Sequence, residues 1–318
     1  MSARAETYAQ ALLDLADARP DLVVMTAENR AHLRPLPAAL GRRFVDVGIC
    51  EQTLVGAAAG LALRGRVPVV HALAAFLTLR AFEFIRTDVG LPGLPVKLVG
   101  AVPGFLSEAN GPTHQAIEDL ALMRAIPGMQ IVCPADEEEL ALGLPEVVAS
   151  PAPTYLRFNA VPARVPHRTG FKLGEAEVHG SGSDVAILAC GFLVGEAAAA
   201  LELLLARGIE GRLVNLRTLA PLDRAAVLRA GEECDLVVTV EDHLRSGGLH
   251  AIVTGCLAEG AVTTGLLGLG LERWFKPAML PDVLRHEGFT APQLAQRVER
   301  ALTRRGMSRG QTVVLGEQ

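Results

Sequence analysis

Phe44-Val45-Asp46-Val47-Gly48-Ile49-Cys50-Glu51-Gln52 is the stretch that decides how this chain folds. Residues of strand character run into a glycine, an acid follows, and a run rich in small residues occupies 54–64. That order predicts strand, tight turn and helix. It places Glu51 in the first helical turn at the carboxyl end of a strand, where open α/β sheets bind ligands. Alone, an acid in a first helical turn is an ordinary partner of the helix dipole. Glu51 gains weight from its company: His71-Ala72-Leu73-Ala74-Ala75-Phe76-Leu77-Thr78-Leu79-Arg80, then Asn110-Gly111-Pro112-Thr113-His114-Gln115, then Glu118-Asp119 and Ile126-Pro127-Gly128-Met129.

Short β-branched runs alternate with longer helical patterns outward from this stretch. Strands are expected at 22–25, 44–47, 67–70, 96–99, 130–133 and 154–158, with helices at 51–64, 76–87, 115–124 and 136–149. Such alternation implies a parallel sheet covered on both faces. Asp136, with Glu139 three residues on, resembles a capping box. The stretch 159–172 has no clean period and reads as an interdomain connection. A second α/β pattern begins at 184–189, continues through 212–216 and 236–241, and ends in a helix at 291–303. At 318 residues the chain exceeds one ordinary core, so two domains are expected: 1–160, a linker over 161–182, and 183–318. The tail from Arg304 is polar apart from Val313-Val314-Leu315, and the pattern assigns it no place.

Half of the residues are apolar, enough for two cores, and the net charge is −5. Scattered Lys and Arg leave no basic footprint for nucleic acid, and 4% aromatic content argues against base-stacking surfaces. The five cysteines lie far apart with no CxxC spacing, which reads as buried thiols in a reducing cytoplasm, with Cys50 the exception to watch because it borders Glu51, and as no metal site within this chain. Residues 2–18 read as a helix rather than a signal peptide. No apolar run reaches the roughly 18 residues of a membrane span.

The order and spacing of Glu51, Phe76 and Gly111-Pro112-Thr113-His114-Gln115 resemble the pyrimidine-binding domain of transketolases, which use thiamine diphosphate. Val240-Glu241-Asp242-His243 ahead of Gly247-Gly248-Leu249 is similar to their carboxy-terminal domain, shared with β subunits of 2-oxo acid dehydrogenases. The resemblance implies a parallel-sheet α/β pyrimidine-binding domain followed by a smaller α/β domain. A complete transketolase also needs a domain with a GDG motif, which holds the cofactor diphosphate through Mg2+ or Ca2+. No GDG occurs in this chain. The resemblance therefore implies the second half of a split enzyme, joined with a GDG-bearing subunit as α2β2.

Each family position then maps onto a residue. Glu51 corresponds to the carboxyl that hydrogen-bonds the aminopyrimidine and stabilises the imino tautomer able to take the thiazolium C2 proton. An apolar setting should raise its pKa, against the pull of the helix dipole. Phe76 corresponds to the aromatic stacking on the pyrimidine, Leu79 and Phe82 to further residues around it, and Glu28 to an aspartate near the cofactor. His114 corresponds to the substrate-side histidine, able to move protons near neutral pH. Arg157 corresponds to a phosphate-binding arginine suited to a bidentate hold. Glu118-Asp119 is expected to support the loop or a subunit contact.

Two positions depart from the family. Val102 stands where a histidine contacts sugar hydroxyls, and Asn110 stands where an aspartate does. Cofactor activation reads as intact while substrate reading has changed. The leading function is transfer of a two-carbon ketol unit from a ketose, phosphorylated or otherwise anionic given Arg157, to an aldehyde or other acceptor. The alternative is acyl transfer from a 2-oxo acid to a lipoyl or carrier-protein thiol. Deoxyxylulose-phosphate synthases usually carry a second histidine where Gln115 stands, which makes that chemistry the poorer match.

Overall fold

The computed structural model describes residues 3–168 and 170–310. Twelve strands among them are β1 (Leu22–Thr26), β2 (Phe44–Asp46), β3 (Val67–Leu73), β4 (Lys97–Ala101), β5 (Gln130–Val132), β6 (Thr154–Arg157), β7 (Glu177–His179), β8 (Val185–Ala189), β9 (Gly211–Asn215), β10 (Thr218–Ala220), β11 (Leu236–Leu244) and β12 (Gly265–Leu271). They form a seven-stranded sheet, β10-β5-β6-β4-β3-β1-β2, and a five-stranded sheet, β12-β11-β8-β9-β7. Both sheets are parallel except at one edge, where β10 runs against β5 and β7 against β9. This is the expected α/β fold.

Side-chain alternation builds the first core. Val23 and Met25 of β1 face the helix Glu51–Leu63 through Leu54, Val55 and Ala58. Leu22 and Val24 face the opposite way, against Tyr8, Leu12, Leu140 and Leu144. Both faces of β1 are therefore apolar, as a covered parallel sheet requires.

Several local readings change. Residues 76–90 are not one regular helix but π-helical Phe76–Arg80, a short α-turn Phe82–Phe84 and π-helical Ile85–Gly90. Wide π turns of this kind recur at functional sites. The helix expected from 115 begins at Asp119, because Gln115 is extended and its buried Nε2 donates to the Phe275 carbonyl at 2.9 Å. Asp136 caps helix Glu137–Ala149 by accepting from the Glu138 and Glu139 N–H groups. The reciprocal arm of the box reaches one residue further back, with Glu139 Oε2 accepting from Ala135 N–H. The stretch 161–182, expected as a linker, carries β7, and three residues beyond β9 the chain returns to the first sheet as β10. Val313-Val314-Leu315 lies outside the described residues.

His167 clamps this junction. Its Nε2 lies 2.7 Å from Asp136 Oδ2 and its Nδ1 2.8 Å from Glu177 Oε2. Two carboxylate acceptors require both ring nitrogens to carry protons, so the ring is an imidazolium. Burial works against that charge, but the bonds to Asp136 and Glu177 and the nearby Glu139 outweigh it and raise the pKa to about 9. A raised pKa gives a contribution that is complete below 6.5 and is lost as pH climbs towards 9. Unfolding midpoints should therefore fall across that window. His167→Gln should flatten the slope and lower stability at pH 6 by about 3 kcal/mol. An unchanged slope in the variant would place its source elsewhere.

Candidate active site

The cleft is built at the carboxyl ends of β1, β2 and β3. Asp46, closing β2, accepts from Gly48 N–H at 2.9 Å and from Glu28 N–H at 3.1 Å, and pairs with Arg30. Partial burial pushes its carboxyl up, but these bonds hold it below the usual range. Gly48 turns the chain at φ +74°, a conformation that favours glycine. Helix Glu51–Leu63 starts two residues after Ile49, with Glu51 only 2% exposed. Opposite, β3 ends at Leu73 and the chain delivers Phe76 in the π-helical turn.

Glu28, Arg30, Ile49, Glu51, Leu73, Phe76 and His114 together line a cleft of about 410 Å³. The His114 ring meets Phe76 edge to face, with centroids 4.9 Å apart, and its Nδ1 lies 2.9 Å from Thr113 Oγ1. Glu51, Phe76, His114 and Glu28 are thus brought together. An aromatic face beside a buried carboxyl suits a flat, hydrogen-bonding heteroaromatic ring.

The remaining expected residues lie elsewhere. Leu79 is 45% exposed and outside the cleft lining, because the π turn carries it outward. Phe82 packs against the core beneath the first sheet and also leaves the cleft unlined. Asn110 is exposed and Val102 half-buried, both outside the lining. Val102 holds φ +50°, a strained backbone for a β-branched residue.

Arg157 requires a correction as a phosphate-binding group. It is 3% exposed, its Nε donates to Asp119 Oδ2 at 2.9 Å, and its Nη1 donates to Asp242. The guanidinium therefore joins the first sheet to β11 instead of facing substrate. Tyr155 Oη donates to Asp119 at 2.7 Å, and Phe105 N–H donates to Asp242 at 3.1 Å. A Cβ on Gly104 would fall 1.9 Å from Asp242 Oδ2, so glycine is required for this approach. Next to Asp242, burial pushes Glu241 up to about 8 even though it accepts from the N–H groups of Leu249 and His250. The acidic motif of the second domain is thus a docking element.

The sequence reading missed Arg80. Its Nη1 donates to Glu51 Oε2 at 2.9 Å, and its Cζ lies 4.3 Å from the Phe76 ring centroid. The available signal was spacing: positions i and i+4 on a helical segment share a face.

Phe76 and Glu51 offer an aromatic face and a carboxyl of the kind the pyrimidine end of thiamine diphosphate would need. The cleft offers no metal-ligand set for a diphosphate-bound cation. Among the described residues, the one cluster with ligand spacing is Glu139, His167 and Glu177 at the domain junction. Both nitrogens of its imidazole are already hydrogen-bonded to carboxylates.

The transketolase pyrimidine-binding domain model matches residues 2–161, and the transketolase carboxy-terminal domain model matches 174–294. The chain is 34% identical over 305 residues to a 6-deoxy-6-sulfo-D-fructose transketolase subunit of Clostridium sp. (strain MSTE9), covering 94% of each protein. It belongs to the transketolase family. It is a subunit of a transketolase-like transferase, of the kind whose gene is split. A solved split-gene transketolase, described as an inactive β4 tetramer, superposes with a TM-score of 0.86 at 34% identity, covering 94% of this chain and 98% of that one. A 1-deoxy-D-xylulose-5-phosphate synthase of Thermomicrobium roseum is 36% identical over 301 residues, but those span 92% of this chain and only 47% of the synthase. No helix among the described residues is long and apolar enough to cross a membrane.

Arg157→Ala should leave two buried carboxylates without their counter-charge and lower stability by about 3–5 kcal/mol, read from denaturant unfolding. A change within about 0.5 kcal/mol, accompanied by a raised KM for phosphorylated substrate, would restore the phosphate-binding role.

Proposed function

We propose that this chain is the pyrimidine-binding subunit of a thiamine-diphosphate-dependent transketolase that moves a two-carbon ketol unit from an anionic ketose to an aldehyde. The observation that carries the reading is Glu51, a buried carboxyl opening on a cleft whose other walls are Phe76 and His114. Thiamine diphosphate supplies the carbon nucleophile when bound. Glu51 would hydrogen-bond its aminopyrimidine nitrogen and exchange a proton there. Phe76 would hold the ring by stacking, worth about 1 kcal/mol beyond its burial. His114, at the rim and hydrogen-bonded to Thr113, would orient and protonate substrate oxygens.

A GDG-bearing subunit would supply the diphosphate and cation site in an α2β2 assembly. The resemblance over 94% of its length to a split-gene transketolase described as an inactive β4 tetramer supports dependence on such a partner. An anionic donor is supported by the sulfo-sugar in the name of the Clostridium relative and by Arg30 in the cleft lining. The same resemblance favours ketol over acyl transfer. Five cysteines without disulfides agree with action in a reducing cytoplasm.

The test is Glu51→Gln in the reconstituted complex, which keeps a hydrogen-bonding amide but removes the exchangeable acid. Hydrogen–deuterium exchange at C2 of bound cofactor should slow by about a hundredfold or more, while folding and subunit association persist. Exchange at the wild-type rate would remove Glu51 from the chemistry.

A further inference from the structure

Arg80 makes two contacts that the proposed cofactor ring would also need. Its guanidinium is flat and lies with Cζ 4.3 Å from the centroid of Phe76. From the same position Nη1 donates to Glu51 Oε2 at 2.9 Å. Stacking on this aromatic face and hydrogen bonding to this carboxyl are the interactions assigned above to the aminopyrimidine. A ring that takes the Phe76 face covered by the guanidinium, and the Glu51 Oε2 it donates to, therefore competes with Arg80 for both.

We propose that Arg80 is a built-in placeholder for the aminopyrimidine, so that the ring binds only as the guanidinium is drawn off Phe76 and Glu51. The proposal rests on the cofactor reading of the site. The latch is weak enough to open: the Arg80 side chain is 43% exposed, whereas its carboxylate partner is 3% exposed. Water screens the pair from the Arg80 side, and a cation on the half-buried Phe76 ring adds a modest attraction. The flexible stem allows the guanidinium to leave without disturbing the core, since Leu77 and Thr78 on the same turn carry the burial. The placeholder also keeps Glu51 partnered, since a buried carboxylate without a partner is costly.

The test uses the full chain and thiamine, which carries the aminopyrimidine but no diphosphate and so needs no second subunit. Its dissociation constant is read by saturation-transfer NMR titration. Arg80→Gln should bind thiamine about tenfold more tightly than wild type. Arg80→Lys, which keeps the charge but loses the planar stack, should fall between them. Adding Glu51→Gln to Arg80→Gln should abolish the gain. Independently of any ligand, the Arg80 δ-protons of the wild type should be shifted upfield by the Phe76 ring, and Phe76→Leu should remove the shift.

Equal or weaker thiamine binding by folded Arg80→Gln overturns the placeholder. If the two-subunit complex nevertheless binds thiamine diphosphate in a Glu51-dependent way, the cofactor reading survives that failure. If complex and variant alike fail to bind, the cofactor reading falls with it.

Discussion

A buried guanidinium between two buried carboxylates holds this molecule together. Arg157, at the end of β6, pairs with Asp119 beside the cleft loop and with Asp242 on β11 of the second sheet. A buried pair is stable only when its leftover hydrogen-bonding capacity is met. Tyr155 meets it for Asp119 and Phe105 N–H meets it for Asp242. His243 adds a neutral contact: its Nδ1–H donates to the Leu244 carbonyl, its Nε2 accepts from Ala121 N–H, and burial keeps its pKa low. Because Asp119 begins the helix just after Gly111-Pro112-Thr113-His114-Gln115, this cluster also sets where His114 meets Phe76.

The opposite wall is held by a separate device. His71 of β3 lies between Tyr8 Oη, 2.7 Å from its Nε2, and the Met25 carbonyl, 3.3 Å from its Nδ1. Burial drives its pKa down to about 4, so the ring is neutral and structural rather than catalytic. Thr26 Oγ1 donates to the His71 carbonyl at 3.1 Å, tying the ends of β1 and β3 beside the cleft. Polar groups at the strand ends are thus consumed in fixing the walls, which leaves Glu51, Phe76 and His114 facing the opening.

The readings that held rest on strong local signals. The strand, glycine turn and acid from Phe44 to Glu51 obey rules of period and backbone freedom, and the parallel sheets follow from the alternation of strands and helices. What was not legible depends on contacts distant in sequence. β10 is only Thr218-Leu219-Ala220, too short for any period, and exists because β5 presents an edge. Arg157 carries the residue type that suits phosphate, but its position between two remote aspartates decides its role. Leu79 and Phe82 follow a helical spacing that the π turn replaces. Arg80 escaped notice because a basic residue on a turn is ordinary until its partners are seen.

On the proposed function this chain is half of a site, with a surface for the flat ring and, in its cleft lining, no ligand set for a cation-bound diphosphate. Calorimetric titration of thiamine diphosphate with Mg2+, into this chain alone and into its mixture with a GDG-bearing subunit, tests that division most directly. Tight binding is expected only in the mixture, at one cofactor for each pair of unlike subunits. Tight, Mg2+-dependent binding to this chain alone would contradict it.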